Sequence, residues 1–362
     1  MENWQRALTG VVHRLEKHFD RAKEYAGNAF LPGRDAVRID AYRGFGTPER
    51  LYLRGRVLRG ASPPAPGERD SALLNLANMI QRFESDELPG VRVVARLGGR
   101  EWEATTDEEG YYELWLDPGR VDPSELWQEV VLELPERRQP DGSPVRAPAP
   151  VLVPPPSARF GLISDLDDTV VQTGATTPLK MARTVFLGNA RTRVPFPGVG
   201  AFYRALQQGT GETYFNPVFY VSSSPWNLYD LLTEFLTLQK IPLGPVMLRD
   251  WGISQSELLP TGHGTHKLGA IRRIMDTFPE LPFILLGDSG QEDPEIYHRV
   301  VHDYPDRILA VYIRDVSLTA ARTASVQALA EEVARAGSTL LLTPDTVAAA
   351  EHAAAHGWIT PQ

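Results

Sequence analysis

The residues best placed to do chemistry close a short apolar run, Gly161-Leu-Ile-Ser-Asp-Leu-Asp-Asp-Thr-Val-Val171. Asp165 and Asp167 stand two apart, the spacing at which an emerging strand end brings both groups into one small volume. Asp168 points elsewhere in any extended reading. Gathered carboxylates repel one another and each loses hydration, so a cation is the usual reason to collect them. Two carboxylates with Mg²⁺ at a strand's C-terminal end make an apparatus for phosphoryl transfer.

Three further groups lie downstream. Ser222-Ser-Ser224 ends a second apolar run just before Pro225-Trp-Asn opens a helix, where a hydroxyl and free amides suit an anion. The alternative for Ser222 is a helix cap. Lys267 follows Gly262-His-Gly-Thr-His266 and opens another helix; alone, it reads as a solvated charge. Phe283-Ile-Leu-Leu-Gly287 leads into Asp288 and then Asp293. Two aspartates in a glycine-containing loop after a buried strand fit Mg²⁺, which needs only one or two protein carboxylates. Asp293 equally fits as the cap of a helix starting near Pro294.

The elements that must position these groups are legible in the pattern. After residue 158, apolar runs at 160–164, 218–222, 245–248, 283–287, 308–313 and 339–342 alternate with helical stretches. Helices are expected at 198–208, 226–239, 267–277, 292–303, 322–336 and 345–356. That alternation predicts an α/β domain, a doubly wound parallel sheet with helices on both faces. Sites in such sheets lie beyond the C-terminal strand ends, where all the groups above fall.

Upstream the period is two. Val37/Ile39/Ala41, Leu51/Leu53, Val91/Val93/Ala95, Tyr112/Leu114/Leu116 and Val130/Leu132/Leu134 alternate as half-buried strands do. Asp107-Glu-Glu-Gly110 marks a turn, expected to close a hairpin between 102–106 and 111–116, as in small immunoglobulin-like sandwiches. A helix bearing Leu73, Leu74, Ala77, Ile80 and Phe83 is expected to interrupt the strands. Residues 3–26 carry Trp4, Leu8, Val11, Val12, Leu15, Phe19 and Tyr25 at helical spacing, for packing on this protein or on a membrane surface. Eight prolines between 135 and 156 read as a stiff connector, with 151–153 as a possible edge strand. The expected division is a helix over 1–30, a β-sandwich over 31–134, the connector over 135–158, and the catalytic domain over 159–362.

The order Asp-x-Asp-x-Thr (Asp165, Asp167, Thr169), strand-end Ser222, Lys267 and Gly-Asp-x₄-Asp (Asp288, Asp293), at separations of 57, 45 and 21 residues, resembles the haloacid dehalogenase (HAD) superfamily. A closer resemblance covers most of 155–360. Ser-Asp-Leu-Asp-Asp-Thr-Val, Phe-Tyr-Val-Ser-Ser-Ser-Pro-Trp-Asn-Leu, Gly-Asp-Ser-Gly-Gln-Glu-Asp-Pro-Glu-Ile-Tyr and Val-Tyr-Ile-Arg-Asp-Val look like the catalytic domain of the actin-patch, lipin-like phosphatidate phosphatases, a family with bacterial members. The resemblance implies Mg²⁺-dependent conversion of phosphatidate to diacylglycerol. In that scheme Asp165 is the nucleophile, carrying an aspartyl-phosphate, and Asp167 is the acid and base. Ser222 and Lys267 hold the phosphoryl oxygens. Mg²⁺ is held by Asp165, the backbone carbonyl of Asp167 and Asp288, with Asp293 nearby. Thr169 and Ser223 are placed at the substrate, although many members have asparagine where Ser223 stands. Lys180 and Arg183, with Arg191 and Arg193, lie in an intervening segment too short for a large cap; they read as receiving an anionic headgroup or as a solvated loop.

Whole-chain quantities narrow the rest. At 362 residues two domains are expected, and a net charge of −9 gives no long-range attraction for nucleic acid or anionic membrane. Absence of cysteine excludes disulfides, thiolate metal sites and a cysteine nucleophile. The charged opening Met1-Glu-Asn-Trp-Gln-Arg does not read as a secretory signal, so a cytoplasmic place is expected, with peripheral contact at the inner membrane surface as an extension. Two other functions stay open on the sequence. One keeps the chemistry and changes the substrate to a phosphoprotein, a nucleic-acid end or a soluble phosphoester. The other is a binding or regulatory module with a vestigial phosphatase domain.

Overall fold

The computed structural model describes residues 36–60, 86–119, 121–122, 124–167, 169–170, 195–211, 215–249, 263–316 and 319–360. The helices expected at 3–26 and around Leu73–Phe83, and the basic residues Lys180, Arg183, Arg191 and Arg193, lie outside them. The described residues form a mixed α/β structure with one mostly antiparallel and one parallel sheet.

The first sheet contains β1 (Val37–Ala41), β2 (Gly44–Gly46), β3 (Leu51–Arg59), β4 (Asp86–Glu87), β5 (Arg92–Leu97), β6 (Arg100–Thr105), β7 (Tyr111–Leu116), β8 (Trp127–Arg138) and β9 (Pro144–Leu152). Their order is β1-β3-β2-β9-β8-β5-β6, with β4 and β7 also pairing β3. The period-two apolar residues perform as their spacing requires. Val37, Ile39, Leu51, Leu53, Val91, Val93, Ala95, Tyr112, Leu114, Leu116, Val130, Leu132 and Leu134 are buried in one cluster, with Ala41 packed against it.

Two expectations need correction. Most of 135–158 is not a connector, because β8 and β9 form an antiparallel hairpin pairing Trp127 with Leu152 through to Leu134 with Val145. The prolines permit this because Pro144, Pro148 and Pro150 share one phase of β9. They withdraw donors from one side only and leave Val145, Ala147, Ala149 and Val151 with theirs. The buried side chains Val145, Ala149 and Val151 occupy that second phase. The second correction concerns Asp107–Gly110, which turns the chain without closing a hairpin. β6 pairs β5, whereas β7 pairs β3 from Leu51↔Leu116 to Arg56↔Tyr111. The turn itself is built as its residues predict. Asp107 Oδ1 accepts from the N–H groups of Glu109 (3.0 Å) and Tyr111 (2.8 Å), and Gly110 takes φ +78°.

The second sheet is parallel: β10 (Gly161–Asp165), β11 (Val218–Pro225), β12 (Val246–Arg249), β13 (Phe283–Asp288), β14 (Ile308–Arg314) and β15 (Leu340–Thr343). The connecting helices are α1 (Val199–Gln208), α2 (Tyr229–Leu238), α3 (His263–Thr277), α4 (Asp293–Asp303), α5 (Ala320–Arg335) and α6 (Thr346–Ala355). The strand order β12-β11-β10-β13-β14-β15 reverses its progression between β10 and β13. A crevice therefore opens beyond the C-terminal ends of those two strands. Alternate strand residues face opposite cores. Leu162 and Ile284 pack with Phe202, Leu232 and Ala353 from α1, α2 and α6. Ile163 and Leu285 pack with Ile274, Val300 and Val326 from α3, α4 and α5.

The two sheets share a core rather than sitting side by side. Phe45, Tyr52 and Leu152 are buried in the same cluster as Phe219, Ile274 and Phe278, and the Phe45 and Phe219 rings meet edge-on at 5.6 Å. Arg273 on α3 lies over the Tyr52 ring at 4.8 Å, bonds the Tyr52 hydroxyl, and pairs with Glu113 of β7 at 2.7 Å. The lysine-bearing helix is thus tied to the antiparallel sheet.

Candidate active site

β10 delivers Asp165 into a place where water scarcely reaches; the residue is 1% exposed and Lys267, Asp288 and Asp293 are equally buried. Lys267, near the start of α3, lies 2.8 Å from Asp165 Oδ1 and 2.6 Å from Asp293 Oδ1. Asp165, Asp288 and Asp293 each bring a carboxylate oxygen within 4.8 Å of the others. Residues 165, 267, 288 and 293 are therefore brought together from two strand ends and two helix starts. The surface-charge reading of Lys267 is overturned.

The loop after β13 is shaped to make this meeting possible. Asp288 Oδ1 accepts from the N–H groups of Gly290 (2.7 Å) and Gln291 (3.1 Å). Asp293 Oδ2 accepts from the Asp288 N–H at 3.1 Å. A Cβ on Gly287 would stand 2.7 Å from Asp293 Oδ2, so glycine is what lets that carboxylate come in. Asp293 is not the expected helix cap: Glu292 occupies that position, and the Asp293 side chain is spent on Lys267 and on the loop. Arg322 of α5 holds the loop from outside, donating to the carbonyls of Ser289 (2.7 Å) and Gln291 (2.5 Å). No local sequence signal marks that arginine.

Asp167 belongs to a second group. Its Oδ2 accepts from the hydroxyls of Ser222 (2.7 Å) and Ser224 (3.2 Å), and Ser222 Oγ in turn accepts from the Ser224 N–H at 2.9 Å. Ser222 lies within β11 and Pro225 precedes the following 3₁₀ turn, Trp226–Leu228, so the helix-cap alternative for Ser222 does not hold. Nothing in the triplet's sequence distinguishes Ser224, yet its hydroxyl donates to the same Asp167 oxygen as that of Ser222. Ser223 is half-buried on the same strand. Thr169 is buried and its hydroxyl faces Asp165 Oδ2 at 3.5 Å.

The electrostatics follow from the imbalance of three buried carboxylates against one ammonium. Burial pushes the Asp165 carboxyl well above the usual carboxylate range; Lys267 opposes this, while Asp293, Asp167 and Asp288 reinforce it. For Lys267, burial works against the charge but is outweighed by Asp165 and Asp293, which raise its pKa above the ordinary lysine value. Neighbouring His266 is pushed down to about 4 by burial and by Arg249, Arg54, Lys267 and Arg273, so it is neutral at pH 7. The donor set, all hard carboxylate oxygens with net negative charge, fits a divalent metal ion that prefers oxygen. Asp165, Asp288 and Asp293 are the residues that would hold it.

Residues 160–315 match the family model described as the phosphatidate phosphatase APP1 catalytic domain. By sequence, this segment is similar to the phosphatidate phosphatase APP1 catalytic domain. Four aspartates, one serine and one lysine named above, Asp165, Asp167, Asp288, Asp293, Ser222 and Lys267, fall inside it. The phosphatidate phosphatase APP1 of Saccharomyces cerevisiae is 30% identical over 257 residues, covering 68% of this chain and 41% of that protein. An uncharacterised protein of Schizosaccharomyces pombe is 30% identical over 160 residues, covering 43% of this chain and 25% of that protein. The chain thus spans less than half the length of either relative. A carbohydrate acetylesterase from Xanthomonas citri aligns at TM-score 0.24 and 14% identity, over 73% of this chain and 65% of that chain. That level of similarity carries no argument. Among the described residues, no helix is long and apolar enough to cross a membrane.

Proposed function

We propose that this chain is a Mg²⁺-dependent phosphatase that removes the phosphate of phosphatidate or a related phospholipid. Its catalytic domain is then of HAD type, with a sandwich-like unit beside it. The observation that carries the reading is the buried meeting of Asp165, Asp288, Asp293 and Lys267 at the C-terminal rim of a parallel sheet. Such a cluster is costly to bury and is accounted for by a site that handles a cation and a phosphoryl group.

In this reading Asp165 attacks phosphorus and forms an aspartyl-phosphate as the bond to the leaving oxygen breaks. Asp167 gives that oxygen its proton, then takes one from the water that hydrolyses the intermediate. The Ser222 and Ser224 hydroxyls both donate to Asp167 Oδ2, which leaves Oδ1 to carry the proton. Lys267 fixes the nucleophile's rotamer and offers positive charge to the equatorial oxygens. Mg²⁺, held by Asp165, the Asp167 carbonyl and Asp288 with Asp293 adjacent, would supply further neutralisation of the transferring group. Thr169 steadies the Asp165 carboxylate. Lys180, Arg183 and Ser223 are proposed at the substrate, and a peripheral place at the inner membrane surface suits the lipid.

The test measures phosphate release from phosphatidate vesicles and from p-nitrophenyl phosphate, with Mg²⁺ and with EDTA. Asp165→Asn is expected to abolish turnover on both while leaving the fold intact; retained turnover removes the covalent scheme. Equal rates on vesicles and soluble ester would remove the lipid assignment but keep the phosphatase.

A further inference from the structure

We propose that Tyr42, in the link between β1 and β2 of the antiparallel sheet, is a positioning residue for the reaction: by holding Trp226 it sets the aim of Ser222 and Ser224 on Asp167. The kinetic consequence rests on the phosphatase reading above; the structural link does not.

The strand that carries the two serines cannot aim them by itself. β11 pairs β12 at Val221↔Met247 and again at Pro225↔Arg249, with a register shift between. Ser222, Ser223 and Ser224 occupy that irregular stretch, and bulges of this kind re-aim side chains according to how their ends are held. One end is fixed by the sheet interior, where Val218 and Phe219 are fully buried. The other end passes through Pro225, at φ −72° and ψ 153°, directly into Trp226. With φ of Pro225 locked, a displacement of Trp226 is transmitted to Ser224 two residues earlier.

What fixes Trp226 comes from the other sheet. The Tyr42 ring stacks on it with centroids 4.2 Å apart and planes 16° apart. Tyr42 also packs on Tyr229 at 4.5 Å, and the Arg43 N–H donates to the Tyr229 hydroxyl at 2.8 Å. Tyr42 is itself anchored, its N–H donating to the Arg54 carbonyl at 3.1 Å, and the Arg54 guanidinium lies over the Trp226 ring at 5.2 Å. Both aromatic partners are buried, Tyr42 at 5% and Trp226 at 4% exposure, so the stack is a fixed contact. The antiparallel sheet therefore completes the acid–base half of the site through packing, with none of its described residues among the clustered Asp165, Asp167, Ser222, Lys267, Asp288 and Asp293.

The test compares Tyr42→Ala and Tyr42→Phe with wild type in the full chain. Three readouts are taken: thermal midpoint, backbone amide exchange at Ser224, and kcat and KM on both substrates above. Tyr42→Ala is expected to speed Ser224 exchange and to lower kcat by about tenfold to a hundredfold, the range for small misplacements of catalytic groups, with KM changed far less. Tyr42→Phe keeps the stacked plane and is expected to restore both. A folded Tyr42→Ala with wild-type Ser224 exchange, or a loss that Tyr42→Phe does not restore, overturns the proposal. Should Tyr42→Ala fail to fold, Tyr42→Leu replaces it with the same outcomes. If wild type releases no phosphate from either substrate, the phosphatase reading fails, and Ser224 exchange alone decides the positioning claim.

Discussion

The β5–β6 pair of strands and the rim of the parallel sheet handle charge in opposite ways. On the antiparallel sheet, Arg92 pairs with Glu103 and Arg96 with Glu101 across neighbouring strands, with every side chain between 36% and 55% exposed. On the parallel sheet, Lys267 pairs with Asp165 and Asp293 at 4% and 0% exposure. Pairs of the first kind stay hydrated and contribute little. The second kind gives up hydration on every member, and one ammonium does not neutralise three carboxylates. A fold has no need of that arrangement, so its cost points to use. The outer pairs decorate strands whose stability comes from the apolar cluster beneath.

The sharpest way to break this comparison is to remove the buried cation. Lys267→Ala leaves Asp165 and Asp293 facing each other without their shared ammonium and is expected to cost about 3–5 kcal/mol. Turnover is expected to fall by about 10²–10³-fold, as for loss of one charge-stabilising donor. Denaturant unfolding of Lys267→Ala and of Lys267→Ala/Asp293→Asn checks the cause. Removing one orphaned carboxylate should recover part of the lost stability; a double variant as unstable as the single one would show that lost packing, not charge, was responsible.

A smaller effect is expected from metal ion alone. With Asp165 raised above its ordinary 3.8, stability in the absence of metal is fully present below that ordinary value and is lost as pH rises through the raised one. If the site takes Mg²⁺ as proposed, the ion is expected to offset the loss, by about 2.7 kcal/mol at about a hundred times its Kd. Because protons compete for the same oxygens, the rise in thermal midpoint with Mg²⁺ over EDTA is expected to shrink as pH falls. Scans from acid to neutral pH check the slope. An Mg²⁺ gain that survives Asp288→Asn would mean that the ion binds elsewhere.

The sequence reaches far into this molecule, but only where the signal is local. The six buried runs of the parallel sheet are continuous apolar stretches with helices between, and each lands within a few residues of its observed bounds. The cluster of Asp165, Lys267, Asp288 and Asp293 is legible because every member sits at an end of such an element. The β8–β9 hairpin is hidden because prolines mask strand propensity even when confined to one phase. The pairing of β7 with β3 is hidden because strand partners are chosen by the whole sheet, and the turn at Asp107–Gly110 looks the same in either case. Ser224, Arg322 and the Tyr42–Trp226 stack are hidden for one reason: each acts on a partner distant in sequence and leaves no periodic trace.

The smallest effect is the one that sharpens the comparison from the outer side. Arg92 bonds Glu103 through Nε at 2.8 Å and through a second nitrogen, a good bidentate geometry, on strands whose inward residues Val93 and Ala95 are fully buried. If geometry alone set the worth of an ion pair, Arg92→Ala would destabilise as Lys267→Ala does. Hydration sets it instead, because both groups already face water and salt screens them. Arg92→Ala is therefore expected to leave the denaturation midpoint and kcat indistinguishable from wild type, at low and high salt alike. A clear, salt-sensitive loss of stability in that variant would mean that β5 and β6 also depend on their charges, and the contrast with the rim of the parallel sheet would collapse.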